Sequence, residues 1–135
     1  MPKQSGLAWT TLSVDDAAAA AQDIRNDITN FDFSTPRAVQ DVTGVDKSAN
    51  ERILLLADFS ITLNGVFNPT ANKSHDVFKT VPSTSVQRTT SLGIASKTIA
   101  PELLYTDYQL TRSNSGEFTW QAPGSLADGA VPTWS

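Results

Sequence analysis

The only histidine of the chain lies in Ser74-His75-Asp76, which spells the residue types of a nucleophile, a base and its orienting acid. Adjacency works against that chemistry. Neighbouring residues on a helix point about 100° apart, so three consecutive side chains cannot line up as a triad requires. Ser74 reads instead as a helix cap and Asp76 as a first-turn acid that favours the helix dipole. A denser set of acids, Asp15, Asp16, Asp23, Asp27, Asp32, Asp41 and Asp46, is the material of a calcium site. It lacks the D-x-D-x-D-G spacing closed by a Glu that builds an oxygen cage, so capped turns and a soluble surface are expected. The chain has no cysteine, which removes disulfides, thiolate chemistry, zinc fingers and iron–sulfur clusters. Its glycines form neither G-x-G-x-x-G nor G-x-x-x-x-G-K, so no phosphate cradle is expected. Trp9, Trp120 and Trp134 could stack on sugars, but Trp120 shares strand parity with Phe118 and belongs in a core. The expectation is a protein that is not an enzyme and carries no metal or cofactor.

The elements that would position these residues are mostly strands. Ala8 to Val14 is β-branched and aromatic in loose alternation, which predicts an N-terminal strand or arm over 8–14. Asp15-Asp16 could cap a short helix through Ala17 to Ala21, but alanines offer little area to dock, and a loop is equally compatible. In Ile28 to Ser34, Phe31 and Phe33 share one face against Asn30 and Asp32, the pattern of a half-buried strand that Pro36 ends. A short extended piece over Ala38 to Thr43 leads into the polar 44–52 loop. Arg52 to Phe67 joins an apolar run, Ile53 to Ala57, to strict alternation of Phe59, Ile61 and Leu63, which predicts one long central strand. Gly65 then marks a bulge or a close approach. A helix is expected over 74–81, with Val77, Phe78 and Val81 facing a sheet. Val86, Leu92 and Ile94 share parity in a later strand, and Leu104, Tyr108 and Leu110 in another. A five-residue loop from Arg112 to Gly116 turns that strand into a partner bearing Phe118, Trp120 and Ala122. The 123–135 segment holds two prolines and two glycines and reads as an extended arm, its Leu126, Val131 and Trp134 docking on its own domain or on a neighbouring subunit.

At 135 residues the chain fits a single domain able to bury roughly two thirds of its unfolded surface. It is 39% apolar and 18% charged, which excludes a disordered chain, and nothing approaches the ~20 apolar residues of a membrane span. Met1 to Gly6 leads into no apolar segment of a secretion signal. The net charge of -4 comes from 11 Asp and 3 Glu against 10 basic residues. Asp suits turns over helix interiors, and an acidic surface does not grip phosphates.

Three stretches carry a resemblance. Val39-Gln40-Asp41-Val42-Thr43-Gly44-Val45-Asp46-Lys47-Ser48, then Ala57 to Asn68 with Leu63-Asn64-Gly65-Val66-Phe67-Asn68, then Ser74-His75-Asp76-Val77-Phe78-Lys79 resemble the major tail tube proteins of long-tailed, siphovirus-type bacteriophages. Asp23-Ile24-Arg25-Asn26-Asp27-Ile28-Thr29 and the Tyr108 to Trp120 hairpin are similar to further segments of that family. The likeness runs along almost the whole chain and is strongest to versions from phages of actinobacteria. It implies a mainly β fold, a tail-tube-type β-sandwich or partial barrel with one flanking α-helix and extended terminal arms and loops. It also implies a virion protein, made in the host cytoplasm, that self-assembles into six-membered rings stacked as a tube. Such a tube encloses a tape measure protein, meets tail tip and tail terminator proteins, and passes viral DNA through its lumen without specific binding or a membrane partner. The expected assembly contacts are Asp46, Lys47, Ser48, Asn50, Glu51 and Arg52 in the 44–52 loop, with Trp9, Val131 and Trp134 in the arms. A capsid decoration protein and a carbohydrate-binding β-sandwich module are the competing readings.

Overall fold

The protein is described by a computed structural model covering residues 3–135. Met1 and Pro2, part of the Met1 to Gly6 stretch read above, lie outside the described residues. Among the described residues eleven strands follow in chain order: β1 Trp9–Asp15, β2 Ala21–Asp23, β3 Ile28–Ser34, β4 Arg37–Asp41, β5 Arg52–Ala57, β6 Ser60–Val66, β7 Arg88–Ile94, β8 Lys97–Ile99, β9 Glu102–Tyr105, β10 Gln109–Arg112 and β11 Phe118–Leu126. One helix, α1, spans Ser74–Phe78 between β6 and β7, and 3-10 turns occupy Gly6–Ala8 and Arg25–Asp27.

The main sheet runs β2-β1-β7-β9-β11-β6-β3, with β8 also on β7 and β10 also on β11. All its pairs are antiparallel. It curls on itself. Trp9 at the start of β1 and Phe31 on β3, near opposite ends of that order, approach to 4.5 Å between ring centroids. Leu12 and Val14 of β1 join Ile61 and Leu63 of β6, Trp120 and Ala122 of β11, and Val77 and Phe78 of α1 in one buried cluster. Mainly β, sandwich-like and flanked by one helix, the architecture agrees with the fold expected from the residues.

Several local expectations change. Of the helix and loop readings for Ala17 to Ala21 the loop holds: 17–20 is a turn leading into β2, because the Asp16 carboxylate accepts from Ala18 N at 2.9 Å and Ala20 N at 3.0 Å. Those backbone bonds, led by the one to Ala20, hold the Asp16 carboxyl below its usual range and divert the amides from a helix. α1 stops at Phe78, short of Val81. Thr80 then accepts from Ser83 N and Thr84 N in successive turns before β7. Ser74 is not the cap: its N–H donates to Asp27 Oδ2 at 3.1 Å, so a carboxylate from the turn before β3 caps the helix from a distance. Asp27 also accepts from Asn68 Nδ2 at 2.8 Å and is itself buried. Asp27→Ala leaves a buried N–H and a half-buried amide without their acceptor and should cost about 2–4 kcal/mol, measured by denaturant unfolding.

Parity also resets between β9 and β10. Leu103 and Tyr105 point inward while Leu104 is exposed, the reverse of what alternation through Tyr108 implies. The 123–135 segment begins as strand, since β11 continues to Leu126. Pro123 is tolerated because β11 pairs with β10 up to Gln121 and with β9 from Gly124, so its missing N–H falls in the gap between the two neighbours.

Candidate self-association surfaces

The largest departure from expectation concerns the apolar run after the 44–52 loop. Residues 52–67 are two strands, not one. β6 enters the core of the main sheet, whereas β5 pairs only with β4 as a separate two-stranded ribbon. The register Ser34↔Ser60 between β3 and β6 is followed by Arg37↔Ala57 between β4 and β5, so the ribbon extends the β3–β6 ladder beyond Pro36 and Asp58. Both faces of this arm are open: Ile53, Leu54, Leu55, Val39 and Val42 are all exposed, and Leu56 is 91% exposed. An isolated two-stranded ribbon is marginal in water, and contiguous exposed apolar residues mark contact surfaces. The apolar run predicts a central strand; in the structure it is instead one strand of an uncovered two-stranded ribbon.

Hydrogen bonds order the arm. Arg37 Nε donates to the Leu55 carbonyl at 2.8 Å. Near the tip, Thr43 N and Oγ1 donate to Asp41 Oδ1 at 2.9 and 2.5 Å, while Glu51 N donates to Thr43 Oγ1 at 2.8 Å. The Thr43 hydroxyl, ahead of its N–H, holds the Asp41 carboxyl below its usual range. Asp46, Lys47, Ser48, Asn50 and Glu51 form the exposed tip with Val45, and Arg52 opens β5.

Trp9 and Trp134 both reach β3. Trp9 is half-buried against Phe31. Trp134 bridges Ile99 and lies 6.0 Å from Phe33, yet keeps 48% of its surface exposed. Ser135 N donates to the Thr98 carbonyl at 2.9 Å. Val131 stays exposed and, with Arg37 and Leu54 to Ala57, lines an apolar groove at the base of the arm. The nine contacts expected from the sequence thus fall into three places: the arm's tip, Trp9 and Trp134 against β3, and Val131 at the base of the arm.

Sheet edges are a further surface that sequence reasoning did not place. β10-β11-β6-β3 form a four-stranded antiparallel sheet in which β3 pairs only β6, and β10 pairs only β11. Two unpaired edges therefore stand at opposite sides of one sheet. Its core side carries Ile61, Leu63, Trp120 and Ala122, and its outer side carries Asn30, Thr62, Asn64, Gln121, Gln109 and Thr111. β10 and β3 each show a period-two pattern, but no local signal says which strand ends a sheet.

The triad letters point in separate directions. His75 Nδ1 meets the Tyr108 hydroxyl at 3.2 Å, and Asp76 accepts from Asn72 N at 2.8 Å and from Lys79 Nζ at 3.1 Å. Burial, then the Asp27 charge, pushes Tyr108 up to about 12, so its phenol stays neutral beside the imidazole. Trp120 is buried, its Nε1 donating to the Val66 carbonyl at 3.0 Å. Among the described residues no three His, Asp or Glu side chains converge as metal ligands would.

No family model matches the chain, and no curated protein matches it. Two solved structures do. A chain in the structure described as the tail of an empty GTA particle, computed with helical refinement in C6 symmetry, superposes with a TM-score of 0.75 at 15% identity, covering 98% of this chain and 99% of that one. A chain in the virion of a native gene transfer agent particle gives a TM-score of 0.71 at 16% identity, again over 98% and 99%. The fold is thus shared, end to end, with chains of tail-bearing particles.

Proposed function

We propose that this chain is a structural tail tube subunit, of the kind carried by long-tailed phages and, by its motifs, nearest to those of actinobacterial phages. It acts as a single domain, without catalysis or cofactor, and assembles with copies of itself into six-membered rings that stack into a tube. The observation that carries this reading is the pair of open edges on one antiparallel sheet beside an uncovered apolar arm. Along β10-β11-β6-β3 the strand directions alternate, so β3 of one copy can receive β10 of the next in the antiparallel sense. Repeating that heterologous contact closes a barrel and removes every edge in it. Six copies, the symmetry of the GTA tail, would contribute about 24 strands and a backbone diameter of at least ~37 Å. The arm projects from this ladder and reaches the next ring, where Leu54 and Leu56 are buried and Asp46, Lys47, Ser48, Asn50, Glu51 and Arg52 fix the stacking register. Val131 completes the groove that receives it, and Trp9 and Trp134 brace β3.

The tube encloses a tape measure protein, ends on tail tip and terminator proteins, forms in the host cytoplasm and resides in the virion tail, where DNA passes through it. Negative-stain microscopy at rising concentration tests the reading. Rings or filaments of uniform diameter are the expected result, with or without a nucleating tail tip extract. A strict monomer under all those conditions would favour a decoration protein instead.

A further inference from the structure

The outer face of β10-β11-β6-β3 has a composition unlike the rest of the surface. Registers Gln109↔Gln121, Gln121↔Asn64 and Asn64↔Asn30 set four carboxamides in one row across the four strands. A parallel row holds Ser125, Ser60 and Ser34, and the Ser34 and Ser60 hydroxyls meet at 3.1 Å. Of the residues that point outward from the four strands, Asp32 alone is charged, and Val66 and Pro123 are the apolar ones. Such a face suits neither of the usual partners. A protein interface wants aromatic or apolar anchors, and a phosphate-binding surface wants Lys and Arg. Carboxamides and hydroxyls keep a bound water layer and exert no net pull on a polyanion.

We propose that this amide-and-hydroxyl face lines the bore of the assembled tube and forms a non-adhesive wall for double-stranded nucleic acid. The inference rests on the assembly reading above and adds to it the identity of the inner face. Pairing of β3 with β10 of the next copy keeps Asn30 and Gln109 on the same side, so the row continues around the ring as a girdle of neutral donors and acceptors. Helix α1, the arms and every buried aromatic then lie outside that wall, on the core side of the sheet.

Because the chain has no cysteine, single cysteines report the assignment directly. Gln121→Cys and Ser125→Cys sit on exposed positions of this face, and Ser83→Cys sits on the exposed turn after α1. In assembled tubes a small maleimide should label all three, whereas a polyethylene-glycol maleimide too bulky for the bore should label Ser83→Cys at least tenfold faster than the other two. In unassembled subunits all three should react with both reagents. Equal labelling by the bulky reagent in tubes would overturn the lining while leaving assembly intact. Failure of the unaltered chain to form tubes would overturn the assembly reading, and the lining with it. As a second measure, Gln121→Lys tubes should retain a double-stranded oligonucleotide at least tenfold more than unaltered tubes at low salt and lose that difference at high salt. Equal retention at low salt would refute the non-adhesive wall.

Discussion

Leu54→Asp together with Leu56→Asp should abolish tube formation while leaving the subunit folded. Both leucines lie on β5 and are exposed, Leu54 by 56% and Leu56 by 91%. They contribute nothing to the buried cluster of the main sheet, so thermal unfolding of the subunit should shift by no more than about 0.5 kcal/mol, the usual range for surface changes. In the assembled state each leucine would gain ~1.5–3 kcal/mol from burial, and each aspartate would bring a charge into the same site at a cost. Losing both contacts raises the concentration needed for assembly by at least ~100-fold. Sedimentation and negative-stain imaging read the result, and circular dichroism confirms the fold. Tubes of normal abundance from the double variant would show that the arm is not a joint.

Gly65→Ala should have the largest effect on folding. A Cβ at this position would lie 2.2 Å from the Asp27 carbonyl oxygen and 2.7 Å from the Trp120 ring. Neither neighbour can move freely. Trp120 is buried, packs at 5.2 Å on Phe78, and is tied to Val66 by its indole N–H, while the Asp27 side chain caps α1. Overpacking against flexible side chains costs about 1–3 kcal/mol, and a clash with backbone adds to that, so a loss of at least ~3 kcal/mol is expected. For a chain of this size that lowers the melting temperature by at least ~10 °C. Gly6→Ala is the matched control, since nothing lies within 4 Å of its added methyl. A Gly65→Ala melting curve indistinguishable from that of Gly6→Ala would mean that β3 and β6 can separate at the bulge between Ile28 and Asn30.

The strands that could be read directly are those with one wet and one dry face. Phe31 and Phe33 in β3, and Ile61 and Leu63 in β6, alternate because the pleat sends successive side chains to opposite sides. Gly65 was legible as a close approach for a related reason: a missing Cβ in a strand is where a large ring can lie. The hairpin joining β10 to β11 was legible through its Ser-, Asn- and Gly-rich loop. α1 was legible in place though not in length, because where it stops is set by the turns that carry the chain to β7.

What local pattern cannot carry is the environment of a strand that has no polar face. Ile53 to Leu56 satisfies equally a strand buried in the middle of a sheet and a ribbon with both faces open, since hydrophobicity does not say where in the fold a strand is placed. Likewise the cap of α1 comes from Asp27, 47 residues away, beyond any capping pattern. The order β10-β11-β6-β3 is also non-local: it alone determines which two strands are left as edges and which side chains form the amide row. The sequence by itself determined a β-rich, cysteine-free, acidic chain. The tertiary structure decided which strands are left as edges and which faces stay uncovered, because these are properties of how strands are ordered in space and not of any strand alone.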